Sequence, residues 1–257
     1  MGDRQRNLSE TGARSPGRRF VLPATLLSAL LATLFSTVAS AGKHYPFDMS
    51  GYLGEATLMP DWADTMNREA LQSVALDACL ADAEQCPRHY KGLRHILLRA
   101  EGLTPRKQVR LISRYVNGKR YRNDRTAQLT SPLSNEPVKY RSRWATVEEF
   151  MRRGGDCEDF ATTKYYLLRR LGFSADQLRI VVTWEYGERG HHAVLAVRLD
   201  EESQILLLES DNTVKRGAHH RYRFIYSINE ESIWDHEAPP ASASRKPPAS
   251  LIKETSA

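Results

Sequence analysis

The sequence predicts an α+β fold in which a helical N-terminal part packs on an antiparallel sheet. Two observations carry this. Apolar residues recur at helical spacing as far as position 171, and beyond position 178 the period changes to two. The chain also has 257 residues, 41% of them hydrophobic and 26% charged, which is enough for a sizeable core in one or two domains. Wholesale disorder, a collagen-like repeat and a multi-span membrane protein are excluded by the same numbers.

The elements follow in order. A short extended stretch, 45–60, comes first. Trp62, Met66, Ala70, Val74 and Cys79 then mark a helix over 62–79. A second helix covers 89–100. A third opens at Thr104-Pro105, an N-cap followed by proline at the first helical position, and ends near Asn117-Gly118. Residues 121–143 are polar, contain two prolines and read as a loop. Thr146 caps a short helix with Glu148 and Glu149 in its first turn, and Gly154-Gly155 ends it. A stronger helix runs from Asp156-Cys157 to Leu171-Gly172, burying Phe160, Ala161, Lys164, Leu167, Leu168 and Leu171. Strands are predicted at 178–184, 192–199, 203–209 and 221–226, with Asp200-Glu201-Glu202 turning the middle two into a hairpin.

The formal charge of +6 is a weak argument for a nucleic-acid partner. Half of it lies in residues 1–19, where five arginines face Asp3 and Glu10. Residues 20–41 carry no charge and end in Ala39-Ser40-Ala41, a signal-peptidase-like site. We therefore expect residues 1–41 to be a signal peptide and the mature protein to be periplasmic, starting near Gly42. A membrane anchor is the alternative, weakened by Pro23 and the repeated Ser and Thr. Residues 42–237 form the expected domain, and 238–257 are disordered by composition. Between 101 and 143, eleven Lys and Arg face Glu101, Asp124 and Glu136. Such a run is either a solvated face or a surface for an acidic partner.

There are three cysteines. Cys79 and Cys86 are expected to form a short-loop disulfide in an oxidising compartment, with two buried thiols as the alternative. Cys157 is then the odd thiol of an exported protein, and it sits at a helix N-terminus behind a Gly-Gly turn. Unpaired N–H groups and the helix dipole favour a thiolate there. His192 opens a strand, and Asp211 closes the next strand of the hairpin. Nucleophile, general base and orienter would then come in the order Cys157, His192, Asp211. Each has a plainer reading: a packed thiol, a strand histidine in competition with His191, and an Asx-turn aspartate.

Gly154-Gly155-Asp156-Cys157-Glu158-Asp159-Phe160-Ala161 with Lys164, preceded by Trp144-Ala-Thr-Val-Glu148-Glu149-Phe150, resembles the bacterial transglutaminase-like cysteine proteinases of the LapG type. The resemblance extends to Trp62, the Cys79/Cys86 pair, Tyr115-Val-Asn117, the His192-Ala-Val-Leu strand and Asp211-Asn212, and covers about 45–235. It implies a papain-like/transglutaminase-like fold, a Cys157-His192-Asp211 triad, and cleavage of a surface adhesin or another periplasm-accessible protein. It also implies restraint by an inner-membrane receptor for a cyclic dinucleotide. Transglutaminase-type acyl transfer and a non-catalytic binding module of the same fold are the rival functions.

Asp156, Glu158 and Asp159 pose an electrostatic problem. Unneutralised, they raise the pKa of the neighbouring thiol and oppose the helix terminus. A bound divalent cation would cancel them, and carboxylate oxygens are what calcium takes. The resemblance likewise implies calcium held by the carboxylates flanking Cys157. The alternative is that these acids only complement the helix dipole.

Overall fold

In the computed structural model, the described residues are 45–48, 51–124, 127–130, 137–140, 143–199, 204–216 and 221–236. The expected leader, the C-terminal tail and the Asp200-Glu201-Glu202 turn lie outside them. The α-helices among the described residues are α1 (Pro60–Ala81), α2 (Lys91–Glu101), α3 (Pro105–Asn117), α4 (Val147–Arg153) and α5 (Cys157–Arg170), all of them before β4. The strands are β1 (Gly51–Glu55), β2 (Ala127–Thr130), β3 (Pro137–Tyr140), β4 (Leu178–Glu185), β5 (Gly190–Leu199), β6 (Gln204–Leu208), β7 (Val214–Lys215), β8 (Tyr222–Ile228) and β9 (Ser232–Asp235). Seven of them form an antiparallel sheet in the order β1-β9-β8-β4-β5-β6-β7. This is the α+β architecture predicted from the change of period.

β1 lies in the stretch 45–60 that was expected to be extended, whereas two short strands, β7 and β9, were not legible. They have two and four residues, too few for an alternation to stand out. The polar stretch read as a loop contains β2 and β3, which pair antiparallel with Ala127 opposite Tyr140. The buried face of α1 also differs from the expected one. Its buried residues are Trp62, Thr65, Glu69, Leu76 and Cys79, while Val74 is exposed. Glu69 can be buried because its Oε2 accepts the Val147 N–H at 2.8 Å.

The core explains how α5 is fixed. Trp62 is fully buried, stacks on Tyr166 and meets Trp144 and Tyr165 edge-on. Its Nε1 donates to the Asn229 carbonyl at 2.9 Å, which ties α1 to the sheet end. Phe160, Leu167 and Leu168 of α5 pack in the same cluster as Ile180, Leu195 and Val197 of β4 and β5. Aligned burial of this kind leaves α5 little freedom to slide.

Cys79 and Cys86 form a disulfide, with their Cα atoms 4.0 Å apart, joining the end of α1 to the loop before α2. Cys79→Ser is expected to lower unfolding stability by about 2 kcal/mol, the short-loop end of the usual range. Chemical denaturation checks this, and thiol counting on the native protein should find Cys157 as the single free thiol.

Candidate active site

Cys157 is the first residue of α5, and the turn that delivers it is held from outside. Thr146 and Glu149 form a capping box at the start of α4, and Gly154 ends that helix with φ +75°. A Cβ on Gly154 would lie 2.0 Å from the Arg120 carbonyl, and one on Gly155 would lie 2.0 Å from Asp159 Oδ2. Glycine is required at both places. The Arg122 N–H donates to the Gly155 carbonyl at 2.8 Å, pinning the turn to the segment after α3. Beside it, the Tyr121 ring stacks on Phe160 at 5.8 Å, and its phenol lies near the backbone N–H of Cys157.

The thiol is packed between α5 and β5. Cys157 Sγ donates to Glu158 Oε2 at 3.2 Å, and the Ala193 amide of β5 points at the sulfur. Burial first, and then the Glu158 charge, push the thiol above its ordinary range, with the Ala193 N–H opposing them.

His192, next to Ala193, is the histidine held by a carboxylate, and that carboxylate is not Asp211. His192 Nε2 lies 2.8 Å from Glu209 Oε2. Asp211 Oδ1 instead accepts from the Thr213 N–H at 2.9 Å and Thr213 Oγ1 at 2.7 Å, shaping the turn between β6 and β7. The reason is strand length. Continuing the Leu195↔Leu208 register would set Asp211 opposite His192, but β6 ends at Leu208 and the chain turns, with Asn212 at φ +69°. Positions 209 and 211 share a sheet face, so parity could not separate them. His191, on the other face, meets Trp184 edge-on.

Glu209 is the most heavily held side chain of the site. It is 3% exposed. Its Oε1 accepts from Tyr222 OH at 2.8 Å and lies 2.8 Å from Lys215 Nζ. Its carbonyl accepts from Asn117 Nδ2 at 2.9 Å and from Lys164 Nζ at 2.5 Å. Burial works against its charge, yet the hydrogen bonds from His192, Lys215 and Tyr222 outweigh it and hold the carboxyl down to about 2. Lys164 is fully buried, and burial pulls its ammonium down to about 7 against the opposing charges of Glu209 and Asp211.

The acids around the thiol divide differently from the expectation. Asp124, Asp156 and Glu158 each offer an oxygen, and the three lie within 4.8 Å of one another. Asp159 is not part of that group. At the third position of α5 it turns back into the fold: Oδ1 accepts the Ala145 N–H at 2.6 Å and Oδ2 the Asp156 N–H at 3.2 Å. Asp124 has no counterpart in the sequence reading, because it arrives 32 residues before Asp156 and only the packing against Gly155 brings it in. Asp156 Oδ2 accepts the Asp124 N–H at 3.2 Å, while Asp156 Oδ1 is buried with no hydrogen-bond partner among the described residues. Burial, and then repulsion from Glu158, push Asp156 up to about 8. Clustered oxygens with one orphaned buried acceptor fit a hard cation, since oxygens at about 2.4 Å from an ion stand up to about 4.8 Å apart.

Three solved structures similar to this chain are forms of Legionella pneumophila LapG. One is 26% identical over 58% of this chain and 78% of that one, with a TM-score of 0.48. A calcium-bound form is 25% identical over 62% and 84%, with a TM-score of 0.49. An EGTA-treated form is 26% identical over 58% and 77%, with a TM-score of 0.48. No curated protein matches the chain. The model of the bacterial transglutaminase-like cysteine proteinases matches residues 79–236, more than half of the sequence. The chain therefore belongs to the bacterial transglutaminase-like cysteine proteinases and is a cysteine peptidase.

Proposed function

We propose that this protein is an exported endopeptidase that cleaves a surface adhesin or similar periplasm-accessible protein through a Cys157-His192-Glu209 triad. The observation that carries the reading is the 2.8 Å contact between His192 Nε2 and Glu209 Oε2, with Cys157 facing the adjacent Ala193 amide. With Nε2 committed to Glu209, Nδ1 is the nitrogen that serves the thiol. It takes the proton as Sγ attacks the scissile carbonyl, then gives it to the leaving amine, and water hydrolyses the thioester. Glu209 keeps its charge throughout and holds the imidazole in one tautomer and orientation. The backbone N–H of Cys157, at the start of α5, is an oxyanion donor for the substrate carbonyl.

Asp124, Asp156 and Glu158 would hold calcium. The ion would offset the negative charge that now opposes ionisation of Cys157 and would brace the turn before α5. The Arg-rich start followed by the uncharged stretch 20–41, together with the Cys79–Cys86 disulfide, supports a periplasmic location. Restraint by an inner-membrane cyclic-dinucleotide receptor belongs to the same reading by family analogy.

The test compares two neighbouring acids. Glu209→Gln is expected to lower kcat/KM by about 10²–10⁴-fold. Asp211→Asn, whose amide oxygen can still accept from Thr213, should stay within about threefold of the parent. A peptidase assay on both variants decides this. Equal activity of Glu209→Gln and parent, or a larger loss in Asp211→Asn, overturns the triad as written.

A further inference from the structure

The orienting carboxylate is a glutamate, with one more rotatable bond than the aspartate implied by the resemblance. A longer acid needs more restraint to hold an imidazole in a single orientation. We propose that Lys215 and Tyr222 are positioning residues that clamp the free oxygen of Glu209, so that Oε2 stays on His192. This rests on the triad reading above.

The geometry supports two clamps on one atom. Lys215 Nζ and Tyr222 OH both lie 2.8 Å from Glu209 Oε1, on the side of the carboxylate away from His192. The two clamps also hold each other: Lys215 Nζ donates to Tyr222 OH at 3.1 Å and sits 4.8 Å above the Tyr222 ring. Rotating the carboxylate off His192 would break both contacts in a buried site, leaving polar groups unpaired. Tyr222 also limits the imidazole itself, with its ring centroid 5.9 Å from that of His192.

The fold brings these residues in from two sides. Lys215 lies on β7, the two-residue strand at the sheet edge, paired opposite Leu207. It reaches Glu209 because the turn shaped by Asp211 and Thr213 reverses the chain immediately after β6. Tyr222 comes from β8, across the sheet through β4 and β5. Lys164 and Asn117 fix the Glu209 main chain from α5 and α3, leaving the side-chain rotamers to the clamps. Asp211 thus has a place in this site, as the residue that returns Lys215 to it.

The experiment uses the full chain and a fluorogenic peptide cleaved by the parent enzyme. Lys215→Met and Tyr222→Phe are each expected to lower kcat about tenfold with KM within about twofold. Lys215→Arg, which can still donate to Oε1, should recover most of that loss. The rate of Cys157 alkylation by iodoacetamide, which needs no substrate, should fall in parallel. Glu209→Gln is run beside them. If it is inactive while Lys215→Met and Tyr222→Phe keep the parental kcat, the clamp is wrong and the triad stands. If Glu209→Gln is as active as the parent, the triad reading fails first. A loss that tracks a lowered melting temperature and is shared by Lys215→Arg makes Lys215 structural and also overturns the proposal.

Discussion

Cys157→Ala is expected to remove peptidase activity altogether, a loss of at least about 10⁴-fold, while the protein stays folded. Both halves follow from the position of the residue. Alanine is a strong helix former at the start of α5, and its Cβ fits wherever that of cysteine does. The bonds that hold the turn use the backbone of Gly155 and the side chain of Asp159, not the sulfur. What disappears is the nucleophile, and neither His192 nor Glu209 can replace it in covalent catalysis. Peptidase assays and circular dichroism on the same preparation check this. Activity in a folded Cys157→Ala protein would end the cysteine-peptidase mechanism for this chain.

Removing calcium, or the acids proposed to hold it, is expected to cost the next largest effect, about 10²-fold or more in activity. Asp156 and Glu158 flank the thiol, and with no cation their charges oppose the ionisation that nucleophilic attack requires. Titration calorimetry on chelator-treated protein should show calcium binding, weakened by Asp124→Ala, Asp156→Ala and Glu158→Ala separately. Asp159→Asn makes a sharp contrast. Its Oδ1 can still accept the Ala145 N–H, so calcium affinity should change little although stability falls. If Asp124→Ala binds as the parent does, or the protein is fully active in chelator, the three-carboxylate site is wrong.

The helices were legible because each carries its own local signals. Thr146 with Glu149, proline at the first position of α3 and Gly172 after α5 are short-range devices that need no tertiary partner. One such signal did less than expected: Thr104 stands at the N-cap position of α3 but makes no side-chain capping bond, so Pro105 alone sets that start. The placement of Cys157 at a helix start was legible for the same local reason, since a cysteine behind two glycines is written in consecutive residues. The buried face of α1 was not, because Glu69 is an interior residue only through the Val147 amide of another helix.

What the amino-acid sequence determined by itself is the order of the five α-helices and of the longer strands β4, β5, β6 and β8, with Cys157 at the start of α5 and His192 near the start of β5. These depend on periodicity, capping and residue type over a few neighbours. The tertiary structure alone decided which carboxylate meets His192 and which acids gather beside the thiol. Glu209 and Asp211 are two apart on one sheet face, and only the point where β6 stops distinguishes them. Asp124 joins Asp156 and Glu158 because the segment after α3 runs against Gly155, while Asp159, at the third position of its helix, turns inward to its own cap. Selection between equivalent side chains rests on where strands end and which loops touch, and those are non-local properties of the packed chain.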